Sequence, residues 1–402
     1  MGWVSRQSGR VCHTRAVTAT GCAQPLCYTP ATIRSGSLYR PPYQAEERKQ
    51  KMPSARPPAL QLFVPGLLSA PPGYEDPADL HKHPALRRLM SRGIKTRAPS
   101  EHCCAQLCAA FGVQRQHDWP VAALTLMGDG GQPGADLWMR ADPVHVRATQ
   151  HDLLLADSGG ISQQETAKLL ETLNIHFAHE GLRWHAPHPQ RWYVTGPASM
   201  NVATTPTSVA LGRRVDPLLP RGPDARRWHG RFNETQMLLH EHPVNQQRES
   251  RGEPAINSVW FWGGGRLPTP AISHRWEIWA DDPLLRGLAL WSGLQPRSVP
   301  RNASIWSAQA GKMDHLVLLD ALSEPTQRSD AHAWATQADA LEQAWFAPLR
   351  DQLAHRKLAK LTITTQHADL AFSFEVLSAD LWKFWRRDAG VPRINPPSVT
   401  RA

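Results

Sequence analysis

The stretch from His242 to Gly265, HPVNQQRESRGEPAINSVWFWGGG, decides how this chain folds. A helical pattern near Asp224 to His240 leads into it, and a strand precedes its closing glycines. Glycines after a strand mark a turn needing positive φ more often than a cradle for phosphate, so Gly263 to Gly265 are expected to form a turn. His240 and His242 share a face only in a strand, which makes them a poor metal pair. Arg248, with Arg191 upstream, has the forked guanidinium that suits phosphate and carboxylate. His242, Asn245 and Asn257 add polar atoms. Two readings stay open: these side chains hold a small anionic ligand, or Asn245, Arg248 and Asn257 bond the loops around them.

Upstream, Ser162 to Gly181 has the clearest helical pattern. Ser162 and Glu165 make a capping box, Leu169 or Leu170, Leu173 and Phe177 recur at helical spacing, and Gly181 stops the helix. Arg183 to Tyr193 predicts a strand pair, and Pro197 to Gly222 a polar connection. Further back, Leu60 begins a buried strand ending at Pro65-Gly66, and Asp79 to Ser91 has helical spacing. Ser100 to Phe111 predicts a helix with Ser100 as its N-cap. Val121 to Met127 and His151 to Leu155 are strand candidates. Downstream, His315 to Leu322 predicts a strand, Asp330 to Leu353 a long helix, and Lys360 to Thr365 and Ala371 to Leu377 two more strands. Strand, long helix, strand is a βαβ unit with parallel pairing. The class is therefore α/β, a mainly parallel sheet flanked by helices.

The His242–Gly265 block resembles one in the archaeal-type cofactor-independent phosphoglycerate mutases of the alkaline phosphatase superfamily. Their pattern runs HPVN, Arg, Gly, Pro-Ala-Asn, Ile-Trp, Gly-x-Gly. Ile161-Ser162 and Glu165, with Leu173-Asn174, resemble that family's I-S-x-x-E-A…L-N stretch, and Arg191 falls where its Tyr-Arg strand follows. The wealth of Trp, with TTPTSVALGR at 204–213, is closer still to bacterial proteins known as RpfE-type regulatory proteins. The resemblance implies an alkaline-phosphatase-like core from residues 52–130 and 258–402, with a smaller α/β domain, 131–257, inserted.

It also implies chemistry: two divalent metals that activate a serine and neutralise a phosphoryl group in transfer. Here the chain departs from the pattern. Val64-Pro65-Gly66-Leu67 stands where the family has Asp-Gly-Met/Leu. Leu319-Asp320-Ala321-Leu322-Ser323-Glu324 stands where it has Asp-x-x-x-His, and Gln366-His367 where it has Asp-His. Pro99-Ser100-Glu101 is the match to its Gly-Ser-Asp, so Ser100 is the candidate nucleophile. A two-metal site stripped of carboxylates should bind no metal.

The preferred reading is thus a regulatory or metabolite-binding relative without cofactor, whose ligand is a small phosphorylated or carboxylated metabolite held by Arg191, His242, Asn245, Arg248 and Asn257. The alternative is a working mutase or phosphotransferase using Mn or Mg on Asp320, Glu324, His367 and Asp369.

Composition narrows the rest. The 402 residues include 16 Trp and 35 Pro, with 41% hydrophobic and 20% charged residues. The net charge of +10 sits mainly in residues 1–51, which hold 8 Lys/Arg against 2 Glu; the remainder holds 37 against 33. The body lacks a basic stripe, which argues against nucleic acid. Residues 1–51 have a disordered composition, and Met52 is the expected natural start. The six Cys form no CxxC pair, and Cys104 and Cys108 are expected to be packing residues in a reducing cytoplasm. No stretch is long and apolar enough to span a bilayer. No GxxxxGK[ST], GxSxG or HExxH motif occurs.

Overall fold

The structure is a computed structural model that describes residues 56–72, 82–196, 199–270, 276–367, 369–383 and 385–386. The tail 1–51 and the start expected at Met52 lie outside the described residues. Two sheets contain the strands β1 (Ala59–Phe63), β2 (Ile94–Pro99), β3 (Leu137–Ala148), β4 (Leu153–Ala156), β5 (Arg183–His188), β6 (Arg191–Thr195), β7 (Ser258–Arg266), β8 (Trp276–Trp279), β9 (Asp314–Leu318), β10 (Lys360–His367) and β11 (Leu370–Leu377).

The first sheet has the order β2-β11-β10-β1-β9-β8. Its four strands β10, β1, β9 and β8 run parallel, and β11 and β2 extend it antiparallel. Helices flank it, so the α/β class holds. The expected βαβ unit is present with one difference: β9 and β10 are parallel, but β1 lies between them, so the crossover spans a strand. Alternation sorts the side chains. Leu60, Leu62, Leu361, Ile363, Phe372 and Phe374 share a dry core with Leu86, Leu89, Trp334 and Trp345. Gln61, Phe63, Thr364, Ala371 and Ser373 point the other way and line a groove. One face of the sheet is thus sealed, and on the other Phe63, Ile278, Leu316 and Leu318 join a second core.

The helix expected at Asp330 to Leu353 runs from Ala331 to Ala354 with a π turn at Glu342–Phe346. The Glu342 carboxylate accepts the first-turn N–H groups of Ala85 and Leu86, at 2.6 and 3.0 Å, and so caps the helix Pro84–Arg92.

The second sheet is antiparallel, in the order β4-β3-β6-β5 with β7 on β3. The helices Gln163–Phe177 and Ala225–His240 cover it. Much of the Trp content is used here: Trp184 and Trp228 both meet Phe261, with ring centroids 5.8 and 5.0 Å away. The Ser162–Glu165 capping box is present as expected.

Three sequence expectations are corrected. Val121–Gly128 is a helix, not a strand; it is apolar nearly all round because it is buried, and short apolar runs look alike in both states. Ser100 is not an N-cap: the helix Cys103–Ala110 is capped by His102, whose Nδ1 accepts from the Ala105 N–H at 3.1 Å. Gly263 to Gly265 form no turn but continue β7. Gly263 has φ +68 at an irregularity in the β3–β7 pairing, where a Cβ would press on Val121. Elsewhere the helices Val121–Gly128 and Pro283–Trp291 touch backbone to backbone. A Cβ on Gly287 would lie 1.8 Å from the Leu124 carbonyl oxygen.

Candidate functional site

The block that carries the resemblance is knitted into its own loops. Arg248 is 1% exposed, and its guanidinium donates to the carbonyls of Pro254, Gly160 and Ser158 at 2.8, 3.0 and 2.6 Å. Asn245 is also 1% exposed: its amide donates to the Leu239 and Ile256 carbonyls and its oxygen accepts the Ile256 N–H. Asn257 pairs both ways with the backbone of Val146 on β3. His242 caps the helix Pro243–Ser250 through Nδ1 and contacts the Thr172 hydroxyl, 3.1 Å away, through Nε2. His240 ends the preceding helix, so no strand aligns the two histidines. Polar atoms needed for a ligand are engaged within the protein at each of these positions.

Arg191, on β6, lies apart from them. It forks onto Asp129 at 2.7–3.1 Å, and the Tyr193 hydroxyl donates to the same carboxylate. Burial raises the Asp129 pKa, but these bonds outweigh it and hold the carboxylate below its ordinary range.

Ser100 and Asp369 do come together. Ser100 follows β2, and its N–H donates to the Asp369 carbonyl at 2.8 Å. Both line a groove of about 600 Å³ bordered by the first sheet and the helix Cys103–Ala110. Phe63, Ala105, Ala109 and Trp119 supply apolar walls, and Thr364, Ser373 and Gln106 supply polar ones. Ser100 Oγ and Gln106 Nε2 are buried with no hydrogen-bond partner. Gln106 was visible in the sequence as the one amide within CCAQLCAA, a signal that helix assignment alone passes over.

The strand ends carry the remaining candidates. His367, at the end of β10, faces the Leu68 carbonyl through Nδ1 at 2.7 Å, which leaves Nε2 buried and unpartnered. That is the orientation a metal-ligating imidazole adopts, but one imidazole does not make a site. Its neighbour Gln366 is neutral. Val64 to Leu67 has no carboxylate, and Glu324 is paired with Arg328 at 3.1 Å. Burial raises the Asp320 pKa, a backbone hydrogen bond opposes it, and the charge of Asp281 adds to the rise. Asp369 is exposed. Among the described residues no three His, Cys, Asp or Glu side chains are grouped to hold an ion. The residues present do not fit a two-metal centre.

A second cleft, of about 450 Å³, was not anticipated. It is lined by Arg147, Asp157, Gly159, Gly212, Gln327 and Arg328 among others. Arg328 pairs with Asp157 at 2.7 Å, while the Arg147 guanidinium has no partner among the described residues. Cys108 is fully buried, and burial raises its thiol pKa, in keeping with a packing role. No helix of the described residues is long and apolar enough to cross a membrane.

No protein-family model matches this chain. The 2,3-bisphosphoglycerate-independent phosphoglycerate mutase of Methanosarcina mazei is 27% identical over 168 residues, 39% of this chain and 42% of that protein. The enzyme of the same name from Methanothrix thermoacetophila is 30% identical over 164 residues, 39% of this chain and 41% of that protein. Among solved structures, the cofactor-independent phosphoglycerate mutase from Thermoplasma acidophilum matches 80% of this chain and 90% of its own, with 18% identity and a TM-score of 0.39. The chain spans about two-fifths of the length of the curated relatives it matches, and over that part it is similar to the cofactor-independent phosphoglycerate mutases.

Proposed function

We propose that this chain is a phosphoglycerate-mutase-like protein on an alkaline-phosphatase-like core that no longer transfers phosphate. In this reading it is a bacterial, cytoplasmic protein of the RpfE regulatory type, acting by binding a small metabolite. The observation that carries the reading is the state of the strand ends. Metal-dependent phosphoryl transfer needs several anionic ligands around two cations beside the nucleophile. Here Gln366 is neutral, Glu324 is tied to Arg328, and among the described residues no group of three ligating side chains includes His367.

The metabolite is phosphorylated or carboxylated, as the family's chemistry suggests, and it needs cations. The cleft lined by Arg147 offers one, whereas Arg191, Arg248 and Arg328 are spent on Asp129, on backbone carbonyls, and on Asp157 and Glu324.

The test is conversion of 3-phosphoglycerate to 2-phosphoglycerate by the full chain with Mn²⁺. The expected result is no turnover above that of the Ser100→Ala protein. Turnover abolished by Ser100→Ala would establish the second reading, a working phosphotransferase, which the ligand-like orientation of His367 favours.

A further inference from the structure

The groove beside Ser100 has a lining that does not suit the family's substrate. Among the described residues no Lys, Arg or His side chain lines it, and two carboxylates, Glu101 and Asp369, do. A phosphate or carboxylate entering here would meet like charge with no cation facing it. Arg115, the nearest compensating charge to Glu101, is already bound to it at 2.6 Å, and Trp119 Nε1 donates to the other oxygen at 3.2 Å. The exposed Asp369 side chain makes no hydrogen bond or ion pair among the described residues.

The shape argues the same way. One wall is the sheet face carrying Phe63, Ala98 and Ala371; the other is the helix face carrying Ala105, Ala109 and Ala110, with Trp119 beside it. Small residues on the sheet and on the helix leave apolar surface beside Trp119. About 600 Å³ is the size of a small-molecule site. Ser100 and Gln106 line it, but their Oγ and Nε2 atoms are buried away from its space.

We propose that this groove binds a flat aromatic molecule bearing a cationic amine or amidine, with Asp369 as the counter-charge and the alanine-lined walls and Trp119 holding the ring. The inference goes beyond the reading above and rests on the lining alone; an absence of benzamidine binding would overturn it and leave that reading untouched.

Isothermal titration of the full chain with benzamidine and with benzoate, its anionic counterpart of similar shape, separates the possibilities. Benzamidine is expected to bind saturably and benzoate at least tenfold more weakly. Asp369→Asn should weaken benzamidine at least tenfold and erase the preference. Ala109→Trp, which fills the slot from an exposed helix position, should remove binding in a protein whose thermal melt is unchanged. The proposal is overturned if benzamidine shows no saturable binding, or if its binding survives both substitutions. It is equally overturned if benzoate or 3-phosphoglycerate binds as tightly as benzamidine in a manner that Ala109→Trp removes.

Discussion

The loops around Arg248 and the groove around Ser100 treat polar atoms in opposite ways. Around Arg248, nearly every strong donor and acceptor is satisfied inside the protein: one buried guanidinium ties together Ser158, Gly160 and Pro254, and Asn245 and Asn257 close backbone gaps. Around Ser100, a hydroxyl and an amide are buried without partners and a carboxylate faces solvent unpaired. The first region is satisfied within the protein, and the second holds polar groups that are not. The most recognisable stretch of sequence is therefore one that ties the fold together.

That contrast predicts unequal responses to mutation. Arg248→Met should be the most damaging, since it strips three carbonyls and Glu165 of a buried cation; losing one partner of such a network costs about 3–5 kcal/mol, read as a drop in the urea midpoint at constant slope. Asn245→Leu should cost about 2 kcal/mol by leaving the Leu239 and Ile256 groups unpaired. If either substitution left stability unchanged while weakening a bound metabolite, the division between structure and site would fail.

Acid provides a further probe of the knitted region. Burial raises the Glu165 pKa, but hydrogen bonds from the Ser162 N–H and hydroxyl and from Arg251, with the charge of Arg248, bring it down to about 2 from an ordinary 4.5. A depressed carboxylate stabilises the fold above its unfolded pKa and loses that contribution as protons bind. Stability should thus fall as pH drops from about 4.5 to about 2, and Glu165→Gln should flatten the profile in that window. A profile unaltered by Glu165→Gln would show that the capping carboxylate is not coupled to folding.

In the groove the effects should be small. Ser100→Ala removes an unpartnered oxygen and should shift stability by no more than about 0.5 kcal/mol, in either direction. A large loss would place Ser100 among the structural residues.

The sequence made the helix at Ser162, the strands at Lys360 and Ala371 and the α/β class legible, because a capping box and period-2 alternation are local signals. It misplaced Val121–Gly128, since a fully buried helix has no polar face to reveal its period. It took Ser100 for a cap, although His102 fills that role with a ring nitrogen instead of a hydroxyl. The partners of Arg191 and Arg248 were hidden for another reason: Asp129, Ser158 and Gly160 lie 62 to 90 residues away along the chain, and only the fold brings them near. The groove was hidden too, because its walls come from β1, β2, β10, β11 and a helix that contribute single, small, unremarkable residues.

The most direct test is calorimetric titration of the full chain with Mn²⁺. No stoichiometric binding is expected, since among the described residues no three ligating side chains are grouped and Gln366 beside His367 is neutral. Binding of one or two equivalents, lost in His367→Ala and Asp320→Asn, would contradict the loss of the metal centre and return the chain to the working enzymes.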